Sequence, residues 1–258
     1  MTATPPRRVA IIQARMSSTR FPGKVLAPLA GLPLIVFMIE RVRLARLVDH
    51  VVVATSTHPT DDALAKELSA RGIDCFRGDL DDVLDRFVQC ARAASADHVV
   101  RLTGDCPLMD GDLVDRALSE LARGDVDYVS NVAPPTYPDG LDVECFTMKA
   151  LETAWRDAKL KSEREHVTLY LRSGVAGIRV RNWTGSADYS ALRWTVDHMD
   201  DLQHVAALVD ACCRDQGKSA PAGFDRFDIF RTIEKHAFGE GAAHARNEGL
   251  LKSLSAES

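Results

Sequence analysis

Along the first half of the chain, short continuous apolar runs alternate with longer stretches whose apolar residues recur at helical spacing. Residues 8–13 (RVAIIQ) form the first run. Residues 33–44 then place Leu34, Phe37, Met38 and Val42 on one helical face, and Pro33 suits a first helical turn. A second β-rich run, 50–55, precedes a helix over 60–69 that Thr60, Asp61 or Asp62 can cap. The pattern repeats with a strand at 75–77 and a helix at 82–94, then a strand at 98–102 and a helix at 112–122, and reaches a further strand at 127–130. This rhythm predicts an α/β, Rossmann-like fold, a mostly parallel sheet with helices on both faces. Ligands of such sheets bind beyond the carboxyl ends of the strands, which directs attention to 14–24, 55–60, 77–82 and 103–112.

The rhythm breaks after Val132, where Pro134, Pro135 and Pro138 open an irregular stretch. An apolar run at 141–146, a helix near 149–158 and a charged run at 159–166 follow, then strand-like runs at 177–183 and 191–196 and a helix over 199–213. The chain reads as one domain over 1–258, with 133–185 inserted to cover the sheet edge, contact an acceptor or mediate dimerisation. Tyr137, Phe146 and Leu169 read as exposed apolar residues of that insertion, and a homodimer is the expected assembly. The tail from 239 to 258, rich in Ala and Gly, is expected to be flexible.

Charge and composition narrow the classes. The net charge of −5 argues against general binding to nucleic acid or to anionic membranes. The longest strongly apolar stretch, 32–39, is far short of the ~20 residues that span a bilayer. Residues 1–8 carry no apolar signal core. The cysteines at 75, 90, 106, 145, 212 and 213 form no CxxC pair and no zinc spacing, so buried reduced thiols and a cytoplasmic location are expected.

The strongest chemical signal lies just after the first strand, in Gln13-Ala14-Arg15-Met16-Ser17-Ser18-Thr19-Arg20-Phe21-Pro22-Gly23-Lys24. Arg15, Arg20 and Lys24 supply fixed positive charge, and Ser17, Ser18 and Thr19 supply hydroxyls, which is what a polyphosphate needs at a strand end. Gly23-Lys24 is followed by Val25 and preceded by Ser at position 18, so this is no Walker A loop, and a G-x-G-x-x-G fingerprint is also missing. ATPase and dehydrogenase readings weaken accordingly.

Ala14 to Lys24 resembles the signature loop of the cytidylyltransferases that activate 3-deoxy-manno-octulosonate (KDO) and, more loosely, sialic acids. Further blocks extend the likeness: Arg77-Gly78-x-x-Asp81-Asp82-Val83-Leu84-Asp85-Arg86, Arg101 to Leu108, Pro138 to Glu144, Glu163 to Val167, and Thr195-Val196-Asp197. Together they are similar to the spore-coat polysaccharide biosynthesis protein F subfamily. The resemblance implies a fold of the nucleotide-diphospho-sugar transferase type. It implies that Arg15, Arg20 and Lys24 hold the phosphates of CTP, within a nucleotide site that includes Gln13, Ala14, Ser17, Ser18, Thr19, Arg77, Thr103 and Gly104. It also implies that Asp105 and Asp197 bind Mg²⁺, an ion that favours one or two carboxylates with phosphate oxygens and water. Where the KDO enzymes read Gln-Gly-Asp-Glu-Pro, this chain reads Thr103-Gly104-Asp105-Cys106-Pro107. The metal ligand is kept while a side chain near base or sugar has changed.

Asp139, Asp142, Glu144, Arg164 and His166 form the candidate acceptor side, since a hydroxylated acceptor needs hydrogen-bond acceptors and an acidic one needs a cation. The expected partners are CTP and a small acidic, sugar-like acceptor. A glycosyltransferase of related fold is the rival enzyme, and its metal would sit on an Asp-x-Asp pair. Asp79-Leu80-Asp81, Asp110-Gly111-Asp112 and Asp125-Val126-Asp127 have that form, although none directly ends an apolar strand. A non-catalytic binding module is the remaining alternative.

Overall fold

The computed structural model describes residues 5–241, 244, 246 and 254–255. β1 (Arg8–Gln13) is followed by a small hairpin, β2 (Pro28–Leu29) and β3 (Leu32–Pro33), and by α1 (Leu34–Val42). The repeating units come next: β4 (His50–Ser56) and α2 (Asp62–Ala70), β5 (Cys75–Gly78) and α3 (Val83–Ala93), β6 (His98–Thr103) and α4 (Gly111–Leu121). Beyond β7 (Tyr128–Ser130) lie β8 (Glu144–Thr147), α5 (Met148–Asp157), α6 (Lys161–Glu165), α7 (Leu169–Arg172) and β9 (Val180–Asn182). The chain closes with α8 (Met199–Gln216) and α9 (Arg226–His236).

Seven strands form one sheet in the order β5-β4-β1-β6-β8-β7-β9. β5, β4, β1 and β6 run parallel, and β8 lies antiparallel to both β6 and β7. β1 explains why the sheet is buried on both faces. Ala10 and Ile12 enter a core with α1, α4 and α8, while Val9 and Ile11 enter a second core with α3 and α5. A strand so placed must be apolar at every position, as 9–12 are.

Three expectations change. The run 191–196 is no strand; it is an extended segment touching residue 139 through a single bridge, Asp139 to Arg193. Its apolar residues Trp194 and Val196 are fully buried, yet its backbone pairs with two loops instead of a ladder. Trp194 N donates to Asp139 O at 2.6 Å and Val196 N to Asp105 O at 2.8 Å. The segment 133–185 does more than cover an edge, because β8 from within it sits between β6 and β7. Phe146 on that strand is buried and stacks on Tyr128, and Tyr137 is buried too; Leu160, Val175 and Val180 are the exposed apolar residues there.

α9, beyond the last helix the periodicity suggests, packs on α8. Its approach is anchored by Arg41 of α1, which is buried and donates to the carbonyls of Met109, Pro221 and Phe224. Burial pulls that guanidinium down to about 10. All six cysteines are free thiols. Among the described residues, no helix is long and apolar enough to cross a membrane. The expected flexible tail falls largely outside the described residues, namely at 242–243, 245, 247–253 and 256–258.

Gly140 is where the two loops meet. It has φ of +111°, and a Cβ there would lie 2.7 Å from Trp194 C and 2.8 Å from Thr195 N. Gly140→Ala is expected to cost roughly 2–3 kcal/mol, the scale of a strained backbone position. Thermal melts should fall by about 4–10 °C, and a shift under about 1 °C would show that this contact is not needed.

Candidate active site

The loop 14–24 leaves the end of β1 and is shaped by buried polar anchors. Asp61, fully buried, accepts from Met16 N at 2.7 Å and from Ser56 N and Oγ. Burial pushes its carboxyl up, but these donors win and hold it below the usual range. Gly23, at φ +75°, turns the chain and donates to Met16 O, which delivers Lys24 into a short 3₁₀ turn.

Lys24 is the junction. Its Nζ lies 2.9 Å from Asp105 Oδ2, 2.9 Å from Asp197 Oδ1 and 2.8 Å from Val196 O. Burial alone would pull this ammonium down; Asp105 and Asp197 more than reverse it, so Lys24 is held above the ordinary lysine range. Burial likewise pushes both carboxyls up, and Lys24 brings both below the usual range, with Arg20 also acting on Asp197. Arg20 Nη2 reaches Asp197 Oδ1 at 2.5 Å. The other oxygen, Oδ2, takes Arg193 Nη2 at 2.9 Å, and Arg193 also grips Asp139 at 2.7 Å and Asp201 at 3.0 Å. Two aspartates 92 positions apart in sequence thus share one cation.

Arg20, Lys24, Asp105 and Asp197 line one cavity of about 500 Å³. Gln13, Ala14, Arg15, Ser17, Ser18 and Thr19 face it with Arg20 and Lys24, as do Thr103, Gly104 and Asp105 from the end of β6. Asp139, Asp142, Glu144, His166 and Asp197 line it as well. Gly104 fits because a Cβ there would come within 2.9 Å of Ala14 Cβ. Cys106, the departure from the KDO pattern, is buried beside Asp105 with its Sγ 3.1 Å from Thr103 Oγ1. Burial pushes that thiol well above its usual range, so no further negative charge joins the aspartates.

Two expected site residues are elsewhere. Arg77 does not line the cavity; it donates to Ser56 O, His58 O and Asp62 Oδ1, tying β5 to the loop after β4. Arg164 is spent on Asp82, the cap of α3, and on Trp155 O. Both have nearby carbonyls and a carboxylate that no reading of spacing reveals. The acceptor carboxylates differ from expectation too. Glu144 is saturated by Arg101, Arg172 and Tyr128, and Asp142 pairs with Arg246. Burial raises Asp139 to about 6, against the pull of Arg246 and Arg193. His166 is lowered by burial, against Glu165, and by the arginines around it.

Arg86, Arg101, Arg172 and Thr195 line the cavity without having been anticipated. Arg86, within α3, and Arg101, within β6, stand inside the blocks 77–86 and 101–108, and their place in those blocks was the available signal. All three Asp-x-Asp pairs serve local structure. Asp79 closes a turn on Asp81 N and Asp82 N, Asp110 caps α4 and pairs with Arg226, and Asp125 and Asp127 pair with Arg181 and Arg179.

A family model described as Cytidylyltransferase matches residues 9–211. The chain belongs to the cytidylyltransferase family. It is a nucleotidyltransferase, similar to the spore coat polysaccharide biosynthesis protein SpsF of Bacillus subtilis, at 37% identity over 77% of this chain and 84% of that protein. It is also similar to a 3-deoxy-manno-octulosonate cytidylyltransferase of Anaeromyxobacter dehalogenans, at 31% identity over 78% of this chain and 97% of that one. Among solved structures, a cytidylyltransferase from Leptospira borgpetersenii superposes with a TM-score of 0.83 at 28% identity, covering 93% of this chain and all of that one. The matched span of this cytidylyltransferase includes both Asp105 and Asp197 and stops short of α9.

The saturated Glu144 makes a pH prediction. Burial pushes its carboxyl up, but Arg172, Arg101 and Tyr128 hold it at about 2, below its ordinary 4.5. A depressed carboxyl adds stability above pH 4.5 that is lost as pH falls towards 2. Glu144→Gln should therefore be destabilised at pH 7, by on the order of 3 kcal/mol for two half-buried cations left unpaired. It should lose less stability than the parent between pH 4.5 and 2. Parallel acid melts of the parent and the variant would show no difference if Glu144 were an ordinary carboxylate.

Proposed function

We propose that the protein transfers CMP from CTP to a small acidic sugar, a nonulosonic or keto-sugar acid, in the biosynthesis of surface polysaccharide or glycoconjugate, and releases pyrophosphate. The observation that carries this reading is the meeting of the 14–24 loop with Asp105 and Asp197 in one cavity through Lys24. The acceptor oxygen attacks the α-phosphorus, the bond to the β-phosphate oxygen breaks, and pyrophosphate leaves. Such a reaction depends on positioning and on neutralising charge more than on covalent catalysis. Arg15, Arg20 and Lys24 are the groups for the charge that grows on pyrophosphate.

Asp105 and Asp197 fit a divalent ion, because their carboxylates already share a single cation, Lys24, at 2.9 Å each. Mg²⁺ held there supplies neutralisation of the transferred phosphate. His166, which lines the cavity and is held below the ordinary histidine range by burial, is the residue we assign to take the proton of the acceptor hydroxyl. The similarity to the SpsF protein supports a place in surface polysaccharide synthesis, and the KDO enzyme supports an acidic acceptor. A homodimer through 133–185 belongs to the same reading.

Pyrophosphate release with each of the four nucleoside triphosphates against a panel of acidic sugars is the direct test, with CTP expected to lead. Asp105→Asn and Asp197→Asn should each lower turnover by at least ~100-fold, the scale for losing an electrostatic group at a transition state. Near-normal turnover in either variant would break the metal assignment. CTP with Mg²⁺ should also raise the melting temperature more than a UDP-sugar with Mn²⁺ does, through preferential binding to the folded state. The reverse order would favour the glycosyltransferase.

A further inference from the structure

The cavity contains more positive charge than the loop at 14–24 accounts for. Arg101 of β6 lies directly across the antiparallel ladder from Glu144 of β8, and its Nη1 is bonded to Glu144 Oε2. Arg172, at the end of α7, donates through Nε to Glu144 Oε1 at 2.9 Å, with Nη2 at 2.7 Å. Tyr128 OH completes the set on Oε1. One carboxylate, 3% exposed, therefore holds two guanidinium groups, and both of these line the cavity. Arg101 donates through Nε to Gln13 Oε1, and among the described residues its Nη2 has no hydrogen-bond partner. His166 senses the same surplus: after burial, and against Glu165, the positive charges of Arg101, Arg172 and Arg15 lower it.

Two half-buried cations on one buried anion leave a local surplus that a ligand's negative charge would balance. Each guanidinium keeps one terminal nitrogen outside these bonds, Nη2 of Arg101 and Nη1 of Arg172, so the pair can offer a carboxylate one charge-assisted bond each, and a guanidinium already fixed by Glu144 loses little freedom on binding. Arg172 also acts on Asp142, which places it at the acceptor side of the cavity and not at Arg20 and Lys24.

We propose that Arg101 and Arg172, clamped by Glu144, are the seat of the acceptor's own carboxylate. This rests on the reading that the cavity takes an acidic acceptor beside CTP, and it gives the role once expected of Arg164 to a pair that the sheet register creates. Glu144 is then a positioning residue: it is consumed by the two arginines and sets the direction of the one terminal nitrogen that each has left.

The test uses the full chain with CTP and Mg²⁺. Pyrophosphate release is followed with 3-deoxy-manno-octulosonate and a nonulosonic acid, each beside its methyl ester. The parent should use each acid at least ~10-fold better than its ester, as the loss of a charge-assisted bond demands. Arg172→Met and Arg101→Met should each raise the KM for the acid by roughly 10–100-fold, leave the KM for CTP within about threefold, and hardly alter the ester. Arg172→Lys, which keeps the charge and loses the fork, should recover only part of the deficit. Stabilisation of each variant by CTP reports that its fold and nucleotide site are intact, and the acid–ester comparison on the parent needs no variant at all. Equal use of acid and ester, an equal loss on both in the variants, or a KM shift that falls on CTP instead would overturn the assignment of the arginines alone. Failure of the parent to release pyrophosphate from CTP with any acid would overturn the transfer reading and this inference with it.

Discussion

A buried ammonium held between two aspartates is the constraint on which the rest of the site depends. Lys24, Asp105 and Asp197 come from three distant parts of the chain, each from an irregular segment beside the sheet. Lys24 is only 7% exposed, so without both carboxylates its charge would be stranded, and without Lys24 the two carboxylates would repel across a sheltered cavity. Lys24 and Asp105 depend on this trio, while Asp197 is held by Arg20 and Arg193 as well.

The alternation of charge continues outward from that centre. Arg193 balances Asp197 against Asp139 and Asp201, Arg246 balances Asp139 and Asp142, and Arg101 with Arg172 balances Glu144. Buried ion pairs of this kind are weak sources of net stability, since desolvation consumes most of the attraction. The apolar cores on the two faces of the sheet carry the folding free energy instead. The ionic lattice serves to specify where each loop lies, and a nucleotidyl transfer site needs that kind of positional accuracy.

Cys106 lines the cavity beside Asp105. A buried thiol that stays protonated leaves the pair Asp105 and Asp197 as the negative charge at this point, where the KDO pattern has a glutamate. Each Asp-x-Asp pair also contributes to local structure, through the turn at Asp79, the cap Asp110 or the arginines beside Asp125 and Asp127.

Periodicity by itself determined the parallel half of the sheet, because strands buried on both faces must be apolar throughout and their helices must be amphipathic. The residue chemistry of 13–24 singled out the strand-end loop that lines the cavity, since cations and hydroxyls cluster there. Tertiary structure alone decided that 144–147 would enter the middle of the sheet and that 191–196 would lie against two loops without forming a strand. It also withdrew Arg77 and Arg164 into local ion pairs and brought Arg101 and Arg172 to the cavity. The reason is physical. Composition and spacing report what a side chain can do, while the partner of a long charged side chain is chosen by whichever opposite charge the fold places within about 4 Å.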